Sequence, residues 1–562
     1  MPQPEPSPPP AEVRSPWGRL AAPLGLALAV LFGARAAVMN PVAAFPQRDT
    51  AFGEVAIHHL QDALLGRAAW ADAPLGWPLP GGTARLDWML GQALLTLPLR
   101  AVGAAPWTCH GSASALGLVV SALAAFGIGR RLGLTRAGAL LAGLGAGLGP
   151  AALGELHHAN LTWGGLGGVA VWLIWGAGHR ATDAADPRRA ALRGGMAGAV
   201  LAGAAHFGLY AALFSGVTFL AALPALAVTA GRRAWLGFLG GALAVGLTLV
   251  PVAVLYAGAD SAVDAGDSAG ESWDPARSLA PTAAAPVHRA LGLAALPAAK
   301  AVLQRSANPG YLLGGMGIVG VSLALRRWRA GWPMVLALGL SAAAMAVGGR
   351  PSWAGNSLGV VGPYAWVDLF SGHRLRAPER WLFLVHVALA LFAGLTLSAA
   401  QRWVAGGGGA RAWRAMPRAC AWVPALLGAV VLLVAYGELP VRVPHAAART
   451  GFPPPAYTLL DGAAPGPLFE VLGGKDPCRP VDRLRMQPAH GHALVGGHQG
   501  RFSPEIRALN KTLDAWPSPA TVSWLREAGV GLILEHPPLR PLPADPGLVC
   551  TEAASHRLCT LR

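Results

Sequence analysis

The chain has 562 residues, of which 53% are hydrophobic and only 13% are charged. Its apolar residues come in runs of roughly 17–25, the length that a helix needs to cross a ~30 Å hydrocarbon core. This composition excludes an ordinary soluble globular protein. The net charge of +16 could point to nucleic acid, but no nucleic-acid-binding motif accompanies it. We therefore expect a polytopic membrane protein with no nucleic-acid partner.

The chain opens on a Pro-rich segment, MPQPEPSPPP, that cannot form a helix. We expect residues 1–17 to be a disordered cytoplasmic tail, followed by an all-α membrane domain over residues 18–439. The apolar runs in that domain predict about eleven transmembrane helices. They lie at about 18–39, 108–129, 137–153, 160–177, 194–208, 210–230, 234–256, 311–326, 332–349, 381–400 and 419–438.

Arginine clusters orient these helices, since they fall in every second short connection. The clusters are Arg130, Arg131 and Arg136; Arg180, Arg188, Arg189 and Arg193; Arg232 and Arg233; Arg326, Arg327 and Arg329; and Arg402, Arg411, Arg414 and Arg418. The positive-inside rule then places the N-terminus in the cytoplasm, and we expect an integral protein of the cytoplasmic membrane. The external segments are the loops at 40–107, 154–159, 257–310 and 350–380 and the C-terminal tail. An alternative for residues 18–39 is a signal peptide, because ARAAV resembles a cleavage site.

The first external loop, residues 40–107, is too long for a simple connector. Its segments EVAIHHLQDALLGRAAW and LDWMLGQALLTLPLR predict two amphipathic helices that lie in the membrane interface. We expect His58, His59 and Asp62 to form the wet face of the first helix. Asp49 stands close to the membrane surface, where an apolar wall can raise the pKa of a carboxyl group toward that of a general base. The alternative is an ordinary loop acid that pairs with Arg48 or faces water.

The short external turn GELHHANLTWGG holds Glu155, His157 and His158 between two helices. Asn160 is predicted to cap the helix that follows. The histidines need another explanation, because polar groups at membrane depth are costly and tend to mark sites. A divalent metal could be ligated by four residues together: Asp49, Glu155, His157 and His158. No known ligand spacing supports a metal, so we predict that no cofactor is required and keep the metal as an alternative.

Three arginines stand in SGHRLRAPERW, at the end of the 350–380 loop. We call Arg374, Arg376 and Arg380 the outer arginines, because the positive-inside rule does not explain cations on this side. Guanidinium groups match the geometry of phosphate, so the cluster predicts an anion site. Contact with anionic lipid headgroups is the alternative.

The long apolar runs stop near residue 440, and residues 440–562 predict a small extracytoplasmic α/β domain. PLFEVLG and VGLILEH are expected to be strands, PATVSWLREAG a helix, and LVCTEAASHRLCTL a hairpin. Cys550 and Cys559 are the best candidates for a disulfide across that hairpin. The segment QPAHGHALVGGHQG predicts a Gly-rich strand and turn that docks the domain onto the membrane part. A metal site at His490, His492 and His498 is the alternative there.

The order of these features resembles the GT-C superfamily of polytopic membrane glycosyltransferases. The residues that carry the resemblance are Asp49, the ELHHAN turn, RLRAPERW, and the tail segments HGHALVGGHQGR and WLREAGVGLILEH. Many relatives have two neighbouring acids in the first loop, whereas here Arg48 precedes Asp49 and the next acid is Glu54. The resemblance spans nearly the whole chain in layout, although each motif is short.

The resemblance implies inverting transfer of a sugar from a polyprenyl-phosphate donor to an acceptor hydroxyl at the outer membrane surface. Asp49 would be the general base, with Glu54 as its partner. The outer arginines would face the donor phosphate, and His157 or His158 would orient the acceptor or the phosphate. The expected partners are thus a lipid-linked sugar and membrane lipid.

Two alternatives remain open from the residues. One is a transporter or flippase of a lipid-linked glycan, in which the arginines bind phosphate and no bond breaks; the chain shows no internal repeat of the kind common in transporters. The other is a non-catalytic membrane scaffold whose external domain binds a partner.

Overall fold

The computed structural model describes residues 16–39, 48–78, 83, 86–177, 186–257, 311–326, 331–346, 348, 352–353, 356–357, 361–365, 378–405, 426, 428–431, 455–471, 480–495, 504–553 and 555–562. Its α-helices are Pro16–Gly33, Arg35–Met39, Arg48–Leu64, Leu90–Ala101, Pro106–Arg131, Arg136–Leu148, Pro150–Gly154, Leu166–Ala177, Pro187–Gly203, Leu209–Thr229, Arg232–Gly246, Val250–Ala257, Tyr311–Arg326, Trp332–Ala346, Leu382–Ala405, Pro480–His490, Pro504–Asp514 and Pro519–Glu527. The predicted tail 1–17, apart from its last two residues, and most of the predicted loop 257–310 and span 419–438 lie outside the described residues.

Five helical stretches of the described chain are long and apolar enough to cross a membrane. They are Pro106–Arg131, Arg136–Gly154, Leu209–Thr229, Arg232–Leu255 and Leu382–Val404. Shorter apolar helices occur at Leu20–Gly33, Leu313–Arg326 and Trp332–Ala346. The helical membrane part is thus confirmed, whereas the count of about eleven spans is not. Some predicted spans break into shorter pieces because their sequences are rich in Gly and Pro.

The crowded segment 194–230 does contain two helices, as predicted. Helix Pro187–Gly203 passes through a short 3₁₀ turn, Ala204–Phe207, and helix Leu209–Thr229 follows directly. Gly208 makes the reversal with a φ of 114°, which residues with a side chain rarely adopt. A Cβ atom on Gly208 would also lie 2.7 Å from the Cβ atom of Asn160. The glycine therefore lets this helix pair approach the turn that contains the two adjacent histidines.

The external part contains a six-stranded sheet, and one of its strands comes from the first loop. In chain order, the described strands are β1 Leu75–Trp77, β2 Ser352–Trp353, β3 Asn356–Ser357, β4 Leu468–Val471, β5 Leu494–Val495, β6 Leu532–Glu535, β7 Leu548–Ala553 and β8 His556–Leu561. The sheet has the order β1-β5-β4-β6-β8-β7, and β2 pairs separately with β3. Because β1 pairs with β5, the first loop is built into the C-terminal sheet.

Most predicted elements of the C-terminal domain are present. The strands in PLFEVLG and VGLILEH are β4 and β6, which pair in parallel, and the closing hairpin is β7 and β8. Cys550 and Cys559 lie opposite each other in that hairpin and form the predicted disulfide. The predicted docking strand is β5, which pairs with β1 of the first loop. The domain boundary at residue 440 remains a prediction, because the sheet contains strands from before and after that residue.

Helix Arg48–Leu64, the loop helix, is buried rather than exposed on its polar side. His58 is 8% exposed and His59 3% exposed, so the prediction of a wet face is wrong for these two residues. His58 contacts Asp62 at 3.2 Å, and His59 Nε2 lies 2.9 Å from the Thr83 hydroxyl. The helix is covered because helix Pro480–His490, the docking helix, packs against it from the C-terminal domain.

A buried ion pair joins these two helices across 431 residues of sequence. Arg485 of the docking helix donates from Nε to Glu54 Oε2 at 2.8 Å and from Nη2 to Glu54 Oε1 at 3.0 Å. The Arg485 side chain is 0% exposed and that of Glu54 is 1% exposed. Two parallel hydrogen bonds to one carboxylate fix both the distance and the orientation of the guanidinium relative to that carboxylate. Burial makes each charge dependent on the other, since an unpaired charge in this position would be costly.

Substitution of Arg485 by Met should therefore destabilise the fold strongly. Loss of one partner of a buried pair costs roughly 3–5 kcal/mol, because the other charge stays buried without compensation. The matched control is Arg526→Met, which removes a guanidinium whose side chain is 41% exposed in its pair with Asp545; exposed pairs contribute about 0–1 kcal/mol. Thermal unfolding of the detergent-solubilised protein measures both changes. Equal shifts for the two variants would contradict a stabilising role for the Glu54–Arg485 contact.

Candidate active site

Three segments singled out in the sequence come together in the structure. The loop helix begins at Arg48, so Asp49 is its second residue. The side chains of Arg48 and Asp49 lie outside the described part of the structure. The next residue, Thr50, is 0% exposed, and its hydroxyl donates to the backbone oxygen of His157 at 3.4 Å. The start of the loop helix therefore lies against the turn formed by residues 154–160, the histidine turn.

The histidine turn gathers an acid and two imidazoles. The backbone N–H of His158 donates to the carbonyl of Glu155 at 2.8 Å, which closes the turn. The rings of His157 and His158 lie with their centroids 4.0 Å apart. Glu155 Oε2 lies 3.8 Å from His158 Nε2. The ligand atoms of Glu155, His157 and His158 lie within 4.8 Å of one another. Three of the four residues predicted as an alternative metal set are thus together.

Arg380, one of the outer arginines, reaches the same turn from the start of helix Leu382–Ala405. Its Nη2 lies 3.2 Å from His158 Nε2, and its guanidinium carbon lies 4.9 Å from the centre of the Tyr210 ring. A guanidinium only donates hydrogen bonds, so His158 Nε2 accepts and the neutral ring carries its proton on Nδ1. Arg374 and Arg376 lie outside the described residues. Their predicted role in binding phosphate stays a prediction.

The electrostatics of the turn keep His158 neutral. Burial lowers the pKa of His158 well below its ordinary value of 6.5, and the nearby His157, Arg380 and His110 lower it further. Burial penalises the charged form of an imidazole, and neighbouring cations do the same. The site therefore presents a positive guanidinium held by a neutral histidine, beside the carboxylate of Glu155. Neutral His158 therefore does not offset the positive charge of Arg380.

The hydrogen bond between Arg380 and His158 bears on whether the histidine turn can bind a metal. Two imidazoles and a carboxylate are a chemically suitable donor set for zinc and other divalent transition metals. However, His158 Nε2 already accepts a hydrogen bond from Arg380, and a guanidinium 3.2 Å away would repel a dication at that atom. These residues would hold a metal only if Arg380 moved away. The geometry thus fits an anion better than a cation.

Two predicted residues have contacts that differ from the roles expected of them. Asn160 does not cap a helix: the 3₁₀ turn Thr162–Gly165 follows Leu161, and Asn160 Nδ2 instead donates to Asp87 Oδ2 at 3.0 Å. A cap would use Asn160 Oδ1 as an acceptor, and this atom has no hydrogen-bond partner among the described residues. Glu54 is engaged by Arg485, as described above, and its role as a partner of Asp49 stays a prediction.

No sequence pattern pointed to His110 or Tyr210. His110 is 0% exposed near the start of helix Pro106–Arg131, and its ring packs against the loop helix. A Cβ atom on Gly53 would lie 2.8 Å from His110 Nε2, so the glycine permits this close approach. Tyr210 is 6% exposed and receives Arg380 over its ring. Neither residue belongs to a motif, and only tertiary packing brings them to the site.

The fold of this chain is similar to those of two solved glycosyltransferases, so the resemblance stated from the sequence is confirmed at the level of fold. No protein-family profile matches the chain, and no curated protein matches it in sequence. The arabinofuranosyltransferase AftD from Mycobacteria has a similar structure, with a TM-score of 0.56 and 16% identity over 97% of this chain. The oligosaccharyltransferase of Archaeoglobus fulgidus gives a TM-score of 0.54 and 12% identity over 92% of this chain. The match covers 40% of AftD and 70% of the archaeal enzyme.

The low pKa of His158 predicts how stability depends on pH. An unfolded chain binds a proton at His158 below about pH 6.5, whereas the folded chain does so only at much lower pH. The free energy of unfolding should therefore fall as the pH falls below 6.5, by up to ~1.4 kcal/mol per pH unit for each such histidine. In His158→Gln the slope of the unfolding free energy against pH should be smaller by the contribution of one bound proton. Unfolding midpoints measured between about pH 7.5 and pH 5.5 test this, and an unchanged slope in the variant would contradict it.

Proposed function

We propose that the protein transfers a sugar from a polyprenyl-phosphate donor to an acceptor hydroxyl, with inversion, on the extracytoplasmic face of the bacterial inner membrane. The observation that carries this proposal is the chain of contacts from Thr50 to His157 and from His158 to Arg380. These contacts bring together Thr50, the histidine turn and Arg380. Thr50 follows the predicted base Asp49, and the guanidinium of Arg380 is suited to bind phosphate. The GT-C fold supports the same function, since its solved examples include glycosyltransferases.

The proposed reaction needs a base and a cation on opposite sides of the transferred sugar. The acceptor oxygen attacks the anomeric carbon while the bond from that carbon to the donor phosphate breaks. The acceptor proton passes to the carboxylate of Asp49, and the leaving polyprenyl phosphate keeps the electron pair. The negative charge that develops on the leaving oxygen is stabilised by Arg380, together with Arg374 and Arg376.

The surroundings of Arg380 suit this role. Its guanidinium is held by the His158 ring on one side and by the Tyr210 ring on the other. Neither contact neutralises the charge, because His158 is neutral and Tyr210 offers a ring face. A cation that is fixed before the substrate arrives needs little reorganisation when charge develops in the transition state.

Asp49→Asn should lower transfer by about 10²–10⁴-fold, because a general base contributes that much to the rate. The assay uses membranes that contain equal amounts of each variant and a panel of labelled polyprenyl-phosphate sugars. Asp514→Asn makes the same chemical change at an exposed acid of the C-terminal domain and should leave transfer unchanged. Wild-type transfer in Asp49→Asn would refute Asp49 as the base. Movement of the labelled lipid across the membrane without transfer would instead support the flippase alternative.

We also propose that no metal takes part, since Arg380 donates to His158 Nε2 and its positive charge would repel a dication there. Transfer should therefore persist after treatment with EDTA and dialysis. The histidine variant His157→Gln should respond to added divalent metal no differently from the wild type. Loss of transfer in EDTA, with recovery on addition of zinc or manganese in the wild type but not in His157→Gln, would show that the histidine turn binds a metal.

A further inference from the structure

A second cavity lies in the C-terminal domain, away from the histidine turn. It has a volume of about 680 Å³ and opens between residues 457–466 and the C-terminal end of the docking helix. This volume falls within the roughly 300–1,000 Å³ of pockets that hold small molecules. The docking helix stops here because Gly491 adopts a φ of 73° and donates its N–H to the carbonyl of Gln487. The reversal brings both His490 and His492 to the cavity wall.

The wall combines flat apolar surfaces with hydrogen-bonding groups. Tyr457 and His490 are stacked, with ring centroids 5.8 Å apart and planes 10° from parallel. Leu460 and Met486 add apolar surface, and Asp461 is exposed at the rim. Rings and methylene groups beside a few polar atoms suit a ligand that has both C–H faces and hydroxyl groups.

The two histidines offer hydrogen bonds of opposite kind. His490 Nδ1 accepts from the backbone N–H of His492 at 3.1 Å, so its Nε2 carries the proton. That Nε2 is buried and has no partner among the described residues. Burial lowers the pKa of His490 to about 4, although Glu470 opposes this effect. The ring is thus neutral near pH 7. His492 Nδ1 lies 3.0 Å from the carbonyl of Gly466 and donates to it, which leaves the other nitrogen of a neutral ring to accept.

We propose that this cavity binds a neutral sugar unit of the acceptor, which would make the acceptor a glycan. The inference rests on the proposed function for the reaction but not for the binding itself. No Lys or Arg is among the described residues that line the cavity, so it lacks the cations that a phosphate or another anion would require. Donor, acceptor and carboxylate groups around an apolar floor match the hydroxyl pattern of an uncharged sugar.

The cavity is joined to the proposed active site by the ion pair between the two helices. The docking helix rises ~7.5 Å from Arg485 to His490, and the loop helix rises ~7.5 Å from Asp49 to Glu54. The Glu54–Arg485 bonds connect these two segments directly. An extended glycan held in the cavity would then present a hydroxyl toward Asp49.

Saturation-transfer NMR on the full-length protein in nanodiscs tests the binding. The probes are the methyl glycosides of glucose, galactose, mannose and arabinose. At least one should show saturation transfer with the wild type. Ala489→Trp, which fills the exposed edge of the cavity, and Asp461→Asn, which only removes a carboxylate charge, should each weaken binding by ~10-fold or more. Ala508→Trp, at an exposed helix position elsewhere in the domain, is the matched control and should bind as the wild type does.

Binding of none of the four probes, or equal binding by Ala489→Trp, Asp461→Asn and the wild type, would overturn the proposal. The active-site variant Asp49→Asn separates the two proposals, because it should bind the probe normally while transfer is lost. In transfer assays with an oligosaccharide acceptor that contains the bound sugar, Asp461→Asn should raise the acceptor KM by ~10-fold with kcat within ~2-fold. Transfer with an unchanged acceptor KM in both cavity variants would overturn the glycan subsite and leave the proposed reaction standing. If the wild type binds the probe but transfers no sugar, the glycan subsite would stand and the proposed reaction would be overturned.

Discussion

The buried bond between Glu54 and Arg485 holds the external part of this protein together. It joins the loop helix to the docking helix, and both charges are almost completely removed from water. The same two segments share an apolar core, which includes Ile57 of the loop helix and Leu484 of the docking helix. Strand β1 adds a third connection, because it extends the C-terminal sheet from within the first loop. The C-terminal domain and the first loop therefore form one body, which sets the position of the helix that begins at Arg48.

The candidate active site depends on that position. Thr50 reaches the backbone of His157 because the docking helix packs against the loop helix and sets its position. On the other side of the histidine turn, Arg380 is fixed between His158 and Tyr210. A neutral imidazole, a part-buried guanidinium and the start of a helix that contains Asp49 thus come from three separate segments. In the proposed reaction the guanidinium would meet the leaving phosphate, and Asp49 would take the acceptor proton.

The sequence predicted those elements that local chemistry specifies. The β7–β8 hairpin with its disulfide, the strands β4 and β6, and the two helices within 194–230 follow from periodicity and turn residues. The contact between the histidine turn and Arg380 follows from topology, since both were placed outside. Tertiary packing was not predictable: His58 and His59 were expected to face water, yet both are buried, with His58 in contact with Asp62 and His59 in contact with Thr83. For the same reason the pairing of Glu54 and the part played by Tyr210 left no pattern in the sequence.

The central claim is that the outer ends of three segments form one phosphate site beside Asp49. The most direct measurement is a cryo-EM structure of the protein in nanodiscs with bound polyprenyl phosphate. We predict that the phosphate lies within hydrogen-bond distance of Arg380, in front of the histidine turn, with the lipid tail leading into the membrane. The side chain of Asp49 should face the phosphate across a gap wide enough for a sugar. A phosphate bound at another place, or on the opposite side of the membrane, would contradict this account.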